Sequence, residues 1–451
     1  MTQMNNTWTE RDNKVLWHPF TQMKDWMADS STGGRIITDA EGFVLIDENG
    51  NRFIDGFSSL WCNLHGHCVP EIDDAVRSQL SSVAHTTLLG HGSPPSIELA
   101  EKIVKVTPDG LSRVFYSDSG ATAMEIALKM AYQYYSNRGQ QRNGFIALGE
   151  SYHGDTIGSV SIGGIETFHR IFGPLLFKTD FVPTPNLYHN PDAGVDGAGV
   201  LNEIERLLIE NPDHYCAVAV EPLVQGAAGM LTHPEGFLRG VRELTKKYGV
   251  LMIADEVATG FCSTGRMFAC NHEDVSPDIM AMGKKLTGGY LPVAATVVTE
   301  DVFNGFCGEY SEGKTFFHGH TFTGNALGCA AAVASMDLIE SSGLMESIDA
   351  RIALMGEGLQ KIANHPNVGD IRRCGLMTGI ELVKDRDNKV SFDPVDRIGA
   401  QVCQAARAGG IIIRPLGDVV VLMPAPAMDT ETLGRLIDVT VNTIEEYSFG
   451  K

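Results

Sequence analysis

Five apolar residues, Val250-Leu251-Met252-Ile253-Ala254, run directly into Asp255-Glu256-Val257-Ala258-Thr259-Gly260. A short unbroken apolar run bounded by polar and glycine residues reads as a strand buried on both faces. Such strands belong to parallel sheets covered by helices. Ligands of open α/β sheets sit at the carboxyl ends of strands, so the run aims Asp255 at a ligand edge. A carboxylate there is costly to bury without a partner. Further along, Met282-Gly283-Lys284-Lys285-Leu286-Thr287-Gly288-Gly289 puts an amine in a small, glycine-rich loop.

The rest of the chain fits this frame. From about Pro95 to about Gly343, helical patterns (Ser96–Val106, 121–135, Pro234–Tyr248) alternate with short apolar strands (Arg113–Tyr116, Gly144–Leu148, Tyr215–Val220, Val250–Ala254). That alternation predicts an α/β fold, a mainly parallel sheet with helices on both faces. Before it, Arg35–Thr38, Phe43–Asp47 and Asn51–Asp55 read as a small meander, with a turn at Glu48-Asn49-Gly50-Asn51. Ala326–Ser341 is an alanine-rich helix leading out of the large region. Residues 344–451 read as a compact α/β unit with a strand at Gly410–Arg414 and a last helix at Asp429–Glu446. The expected organisation is therefore 1–75 as the N-terminal part of a small domain, 76–343 as the large domain and 344–451 as the C-terminal part of the small one.

With 451 residues, the chain exceeds one typical domain. Its net charge of −21 argues against a nucleic-acid partner or an anionic membrane surface. No stretch approaches the roughly 20 apolar residues of a membrane span, and Met1–Lys14 has no hydrophobic signal region. The nine scattered cysteines include no Cys-x-x-Cys pair and suit a reduced cytoplasm.

Several motifs fall at strand ends. Ser117-Asp118-Ser119-Gly120-Ala121 follows a strand and opens a helix, where backbone N–H groups can cradle a phosphate, although many helices start this way for capping alone. Tyr152-His153-Gly154-Asp155 follows another strand, and its aromatic can stack on a flat ring. Glu221-Pro222 ends a third. Arg414 ends a later strand and suits a carboxylate ligand or a structural ion pair. His318-Gly319-His320-Thr321 is a polar turn that suits a second phosphate contact better than a metal, since no matching cysteine pair or His-Glu-x-x-His accompanies it. An aspartate and a lysine converging at one sheet edge are what a pyridoxal-phosphate enzyme needs. The lysine forms a Schiff base with the cofactor aldehyde, and the aspartate keeps the pyridine nitrogen protonated so that the ring accepts electrons. Composition does not choose between Lys284 and Lys285.

Together these pieces resemble the class III (ω-) aminotransferases, of fold type I, over nearly the whole chain. The residues that carry the resemblance are Trp17-His18-Pro19-Phe20-Thr21-Gln22-Met23, Asp55-Gly56-Phe57-Ser58-Ser59-Leu60-Trp61, Phe115–Gly120, Tyr152–Thr156, Ile253–Phe261 and Phe317–Thr321. Within the class, the likeness is greatest to the branch that aminates 8-amino-7-oxononanoate in biotin synthesis. The resemblance implies pyridoxal 5'-phosphate as cofactor, Lys284 as the Schiff-base lysine and Asp255 as the partner of the ring nitrogen. It implies Gly120 and Ala121 at the phosphate and Tyr152 stacked on the ring. His320 and Thr321 would reach the phosphate of a neighbouring subunit, in a homodimer with shared active sites. Phe20, Leu60, Trp61, Tyr152, Asp155, Gly319 and Arg414 would line the substrate site.

Three positions depart from the pattern. Phe20 stands where adenosylmethionine-using members often carry tyrosine, so adenosylmethionine and lysine are both open as donor. Leu60 replaces a tryptophan found in some members. Phe261-Cys262-Ser263-Thr264-Gly265 replaces Phe-Gly-Arg-Thr-Gly, whose arginine lies near the substrate in the biotin branch. An ω-amino acid or amine:pyruvate aminotransferase is the alternative. A cofactor-binding but idle scaffold is the reading from another class.

Overall fold

The computed structural model describes residues 7–28 and 34–449. Its centre is a seven-stranded sheet ordered Leu111–Ser117, Ala294–Thr299, Ile279–Met282, Leu251–Asp255, Tyr215–Val220, Gly144–Leu148 and Asp180–Val182. All neighbours pair parallel except around Ala294–Thr299, which runs antiparallel to both sides. Six strands therefore end at one edge, which is where the chemistry-bearing residues gather.

The Val250–Ala254 run forms the strand Leu251–Asp255, every residue of it buried. It pairs with Tyr215–Val220 on one side and Ile279–Met282 on the other. The preceding helix Phe237–Tyr248 buries Phe237, Leu238, Val241 and Thr245. Gly249 stops it in the left-handed conformation at φ 61°, which glycine adopts without a Cβ penalty. The Val250 N–H then bonds the Thr245 carbonyl at 3.0 Å and turns the chain into the strand. On the sheet's other flank, the helix Gly120–Ser136 starts at Ser119, whose side chain accepts from the Thr122 N–H.

Two smaller four-stranded sheets flank this core. One holds Ile37–Glu41, Val44–Asp47, Arg52–Asp55 and Ile411–Ile412; the other holds Val368–Cys374, Met377–Leu382, Val419–Leu422 and Arg414–Leu416. The single strand expected at Gly410–Arg414 is thus two strands in two sheets. Ile411 and Ile412 pair parallel with Ile54 and Asp55, while Arg414 pairs antiparallel with Val421. The apolar isoleucines of that run are buried from either sheet, so hydrophobicity did not reveal the switch. The helix before that run, Ile398–Ala406, starts after Arg397, which takes a left-handed conformation.

Candidate active site

At the carboxyl edge lies a cavity of about 650 Å³. Of the residues singled out in the sequence, Trp61, Gly120, Ala121, Tyr152, Asp155, Asp255 and Lys284 line it, together with His153, Glu221, Cys62 and Thr287. Each is placed by a strand end or by the loop just after one.

Asp255 is 5 % exposed. Its Oδ2 lies 2.7 Å from His153 Nδ1, and its Oδ1 accepts the Val257 N–H at 3.0 Å. His153 is fully buried, and its Nε2 has no partner among the described residues. Burial works against the imidazolium, but the Asp255 carboxylate outweighs it and raises the His153 pKa above its ordinary value. The next residue, Glu256, points elsewhere. Its carboxyl accepts the Ala269 and Cys270 N–H groups at 3.0 and 2.8 Å and the Thr259 hydroxyl at 2.5 Å. Strand alternation thus gives two adjacent carboxylates different tasks, one at the cavity and one stitching a loop.

Glu221 accepts the Tyr152 and Gly226 N–H groups, both at 2.9 Å. Burial pushes its pKa up to about 7, with Asp255 adding to the rise and His153 opposing it. Tyr152 donates its hydroxyl to Asp155 Oδ2 at 2.7 Å, which fixes the ring over the cavity. Burial and that carboxylate raise the phenol's pKa.

The lysine segment is not an open loop but a 3₁₀ turn, Lys284–Thr287. Lys284 itself holds φ at 46°, a left-handed conformation that a lysine adopts only under constraint. Its Nζ lies 5.0 Å from the centre of the Trp61 ring. Burial lowers its pKa, against the pull of Asp255 and Glu221. Lys285 is turned away from the cavity, fully buried, with its Nζ on the Trp61 carbonyl at 2.9 Å. Geometry therefore separates the two lysines that composition left equal.

The helix start is shaped for an anion. The first N–H groups of a helix have no partner within it, and Gly120 and Ala121 supply two of them at the cavity wall. A Cβ on Gly120 would stand 2.4 Å from Val257 Cγ1, and one on Gly154 would stand 2.3 Å from Ala121 Cβ. Only glycine lets these segments come together.

The other expected residues lie outside this cavity. Phe20 is exposed, with its ring 5.4 Å from Phe168, which in turn packs 6.4 Å from Tyr152. Leu60 is exposed beside Trp61. Arg414 is half-buried; burial lowers its pKa while Tyr152 opposes that, and no ion pair engages it among the described residues. Gly319 and Thr321 are exposed and His320 half-buried, on a loop away from this chain's own cavity. Cys262 and Ser263 do not line it either. Cys262 Sγ meets Met345 Sδ at 3.2 Å, and the Ser263 hydroxyl donates to the Gly260 carbonyl at 2.8 Å. Among the described residues, no cluster of three or more His, Cys, Asp or Glu side chains could hold a metal ion. Sequence reasoning gave His153 no role; its place between Tyr152 and Gly154, after a buried strand, was the available signal.

A lysine, a buried aspartate–histidine pair and a helix-start cradle on one cavity floor are the parts of a transaminase site. The family model for class III aminotransferases matches residues 27–444, and the chain belongs to that family. It is 54% identical over 427 residues, 93% of this chain and 78% of the other, to the adenosylmethionine-8-amino-7-oxononanoate aminotransferase of Nitratidesulfovibrio vulgaris strain Hildenborough. The protein of the same name from Geobacter sulfurreducens is 46% identical, with 95% of both chains covered. The crystal structure of the Methanocaldococcus jannaschii protein of that name superposes with a TM-score of 0.93 at 42% identity, over 98% of this chain and 99% of that one. The ω-transaminase of Pseudomonas jessenii in complex with PMP superposes at 0.91 with 29% identity, over 98% of each chain. The fold is accordingly fold type I, and the family implies dependence on pyridoxal phosphate.

Proposed function

We propose that this aminotransferase moves an amino group from adenosylmethionine or lysine to 8-amino-7-oxononanoate, giving 7,8-diaminononanoate in biotin synthesis. The observation that carries the reading is the meeting of Lys284, Asp255 and Tyr152 in one cavity, in a chain so similar to proteins bearing that activity's name.

When bound, pyridoxal 5'-phosphate would supply a carbonyl for the amine and a ring that draws electrons from the substrate carbon. Asp255, its charge balanced by His153, would hold the proton on the ring nitrogen. Tyr152 would stack on the ring, and Gly120 and Ala121 would bind the phosphate. Lys284 would release the cofactor to the donor amine, take a proton at Nζ from the amine-bearing carbon and return it to the cofactor side. Its depressed pKa keeps more of that amine neutral and able to act as a base. Arg414 would take the substrate carboxylate, while Phe20, Leu60, Trp61 and Asp155 would form the pocket walls.

Completion of the site calls for a second copy. The loop bearing Gly319, His320 and Thr321 adjoins an exposed apolar patch, with Leu89 at 74 %, Phe317 at 79 % and Phe322 at 60 % exposure. A patch of this kind marks an interface. We propose a homodimer in which these residues reach the partner's phosphate site. The division into 1–75 with 344–451 around 76–343 is supported by the pairing of Ile411–Ile412 with Arg52–Asp55. A cytoplasmic setting is supported by nine free cysteines. No helix among the described residues is long and apolar enough to cross a membrane.

The deciding assay offers purified holoenzyme 8-amino-7-oxononanoate or pyruvate as acceptor, with each donor in turn. Turnover of the first supports the proposal. Turnover of pyruvate alone would replace it with the ω-transaminase reading, which the Pseudomonas likeness favours.

A further inference from the structure

Four consecutive residues, Ser58, Ser59, Leu60 and Trp61, hold φ at 47°, 50°, 68° and 69°. None is glycine, so every one carries the steric cost of a left-handed turn, and surrounding contacts must hold it in place. At its start, Asp55 accepts the Ser59 N–H at 2.9 Å and the Ser59 hydroxyl at 2.7 Å, and His67 Nε2 lies 3.2 Å from the same carboxylate. Within it, the Trp61 N–H bonds the Phe57 carbonyl, and the Cys62 and Asn63 N–H groups bond the Ser58 carbonyl, all at 2.9 Å.

At its end, Lys285 Nζ donates to the Trp61 carbonyl at 2.9 Å. Lys285 is 2 % exposed and has no carboxylate partner among the described residues. A buried lysine without a counter-charge is costly. Burial, with Lys284 adding to it, brings its pKa down to about 7 against the thiols of Cys62 and Cys262. Amino transfer as described uses Lys284 and leaves Lys285 without a task. On its far side, the Trp61 ring lies against Gly226, where a Cβ would stand 3.2 Å from the ring. The Lys284 amine faces that same ring at 5.0 Å. Two adjacent lysines of one 3₁₀ turn thus grip one residue, by its ring and by its carbonyl.

We propose that Lys285 is a positioning residue for amino transfer: its amine holds the Trp61 carbonyl and so locks the left-handed turn, with Trp61 in the cavity wall, in register with Lys284. This rests on reading the cavity as the transfer site. The pocket wall and the reacting lysine then move as one unit, and the cost of burying Lys285 is repaid in the placement of the acceptor.

The test compares wild type with Lys285→Met, which keeps the length of the side chain but removes the donor. Two readouts are taken on full-length protein. The first is amide hydrogen exchange over residues 57–64 without cofactor. The second is KM and kcat for the keto acceptor. The tether predicts exchange at Trp61–Asn63 faster by about 10-fold or more, and an acceptor KM raised by about 10-fold with kcat changed far less. The visible absorbance of lysine-bound cofactor should persist. Unchanged exchange and unchanged KM would overturn the proposal. Should Lys285→Met not fold, Asp55→Asn loosens the other end of the same turn, and there faster exchange without a rise in KM would overturn it. A wild type that never develops the cofactor absorbance would instead sink the transfer-site reading, while the exchange result would still report on the tether.

Discussion

The carboxyl edge of the central sheet and the loop around His318–Thr321 carry similar residues and behave in opposite ways. At the sheet edge, His153, Glu221, Asp255 and Tyr152 are engaged with one another or with backbone within a buried floor. On the loop, Gly319 and Thr321 are exposed beside the uncovered Phe317 and Phe322, and His320 Nε2 finds no partner among the described residues. The lesson is that chemistry and completion are separated. On the reading proposed above, one chain builds the buried floor alone, and the loop's polar groups would act where a partner copy meets them.

The largest effect should come from the floor. Lys284→Ala should lower kcat by about 10,000-fold, the upper range for a lost acid–base group, and abolish the visible absorbance of the bound cofactor. An active variant would end the comparison at once. Asp255→Asn should lower kcat by about 1,000-fold and strip His153 of its counter-charge, seen by NMR as a fall in the imidazole pKa.

The pocket rim comes next. Arg414→Gln should raise KM about 50-fold for a carboxylate-bearing acceptor, the weight of one charged hydrogen bond. A donor amine lacking a carboxylate should be little affected. Equal losses for both would show that Arg414 supports the fold rather than the ligand.

The loop is expected to act across the dimer. Thr321→Ala should weaken cofactor affinity by about 5-fold. Mixing it with Lys284→Ala chains sharpens the contrast, because a mixed dimer with shared sites owns one site with both defects and one with neither. Full cofactor affinity at the surviving lysine supports sharing, and the weakened value there would show that each loop serves its own chain.

Strand ends were legible in the sequence because burial on both faces leaves an apolar run with a polar stop, as at Leu148, Val220 and Ala254. Asp255 could be placed at the site on that ground alone. The strands Ile279–Met282 and Ala294–Thr299 were not singled out, since short apolar stretches beside Gly and Pro also read as loops. The division of labour between Lys284 and Lys285 was invisible to composition, because it depends on a 3₁₀ turn that directs one amine to the cavity and the other to a carbonyl more than 200 residues earlier. Cys262 and Ser263, which stand where the biotin branch has Gly-Arg, make their contacts with Met345 and the Gly260 carbonyl and do not line the cavity.

The smallest expected effect tests whether the floor is held by charge as well as by packing. Glu221 has its pKa raised from an ordinary 4.5 to about 7, chiefly by burial. Folding therefore favours the neutral acid. The stability this contributes is fully present below about pH 4.5 and is lost as pH rises through about 7, where the folded protein must carry a buried carboxylate. His153 limits that loss by facing the charge, and the two backbone N–H donors from Tyr152 and Gly226 limit it further. Glu221→Gln cannot ionise and should flatten this part of the stability–pH curve, measured by urea unfolding of the cofactor-free protein between pH 5 and pH 8. A variant whose slope matches that of wild type would show that Glu221 is ionised throughout, held by its N–H donors alone.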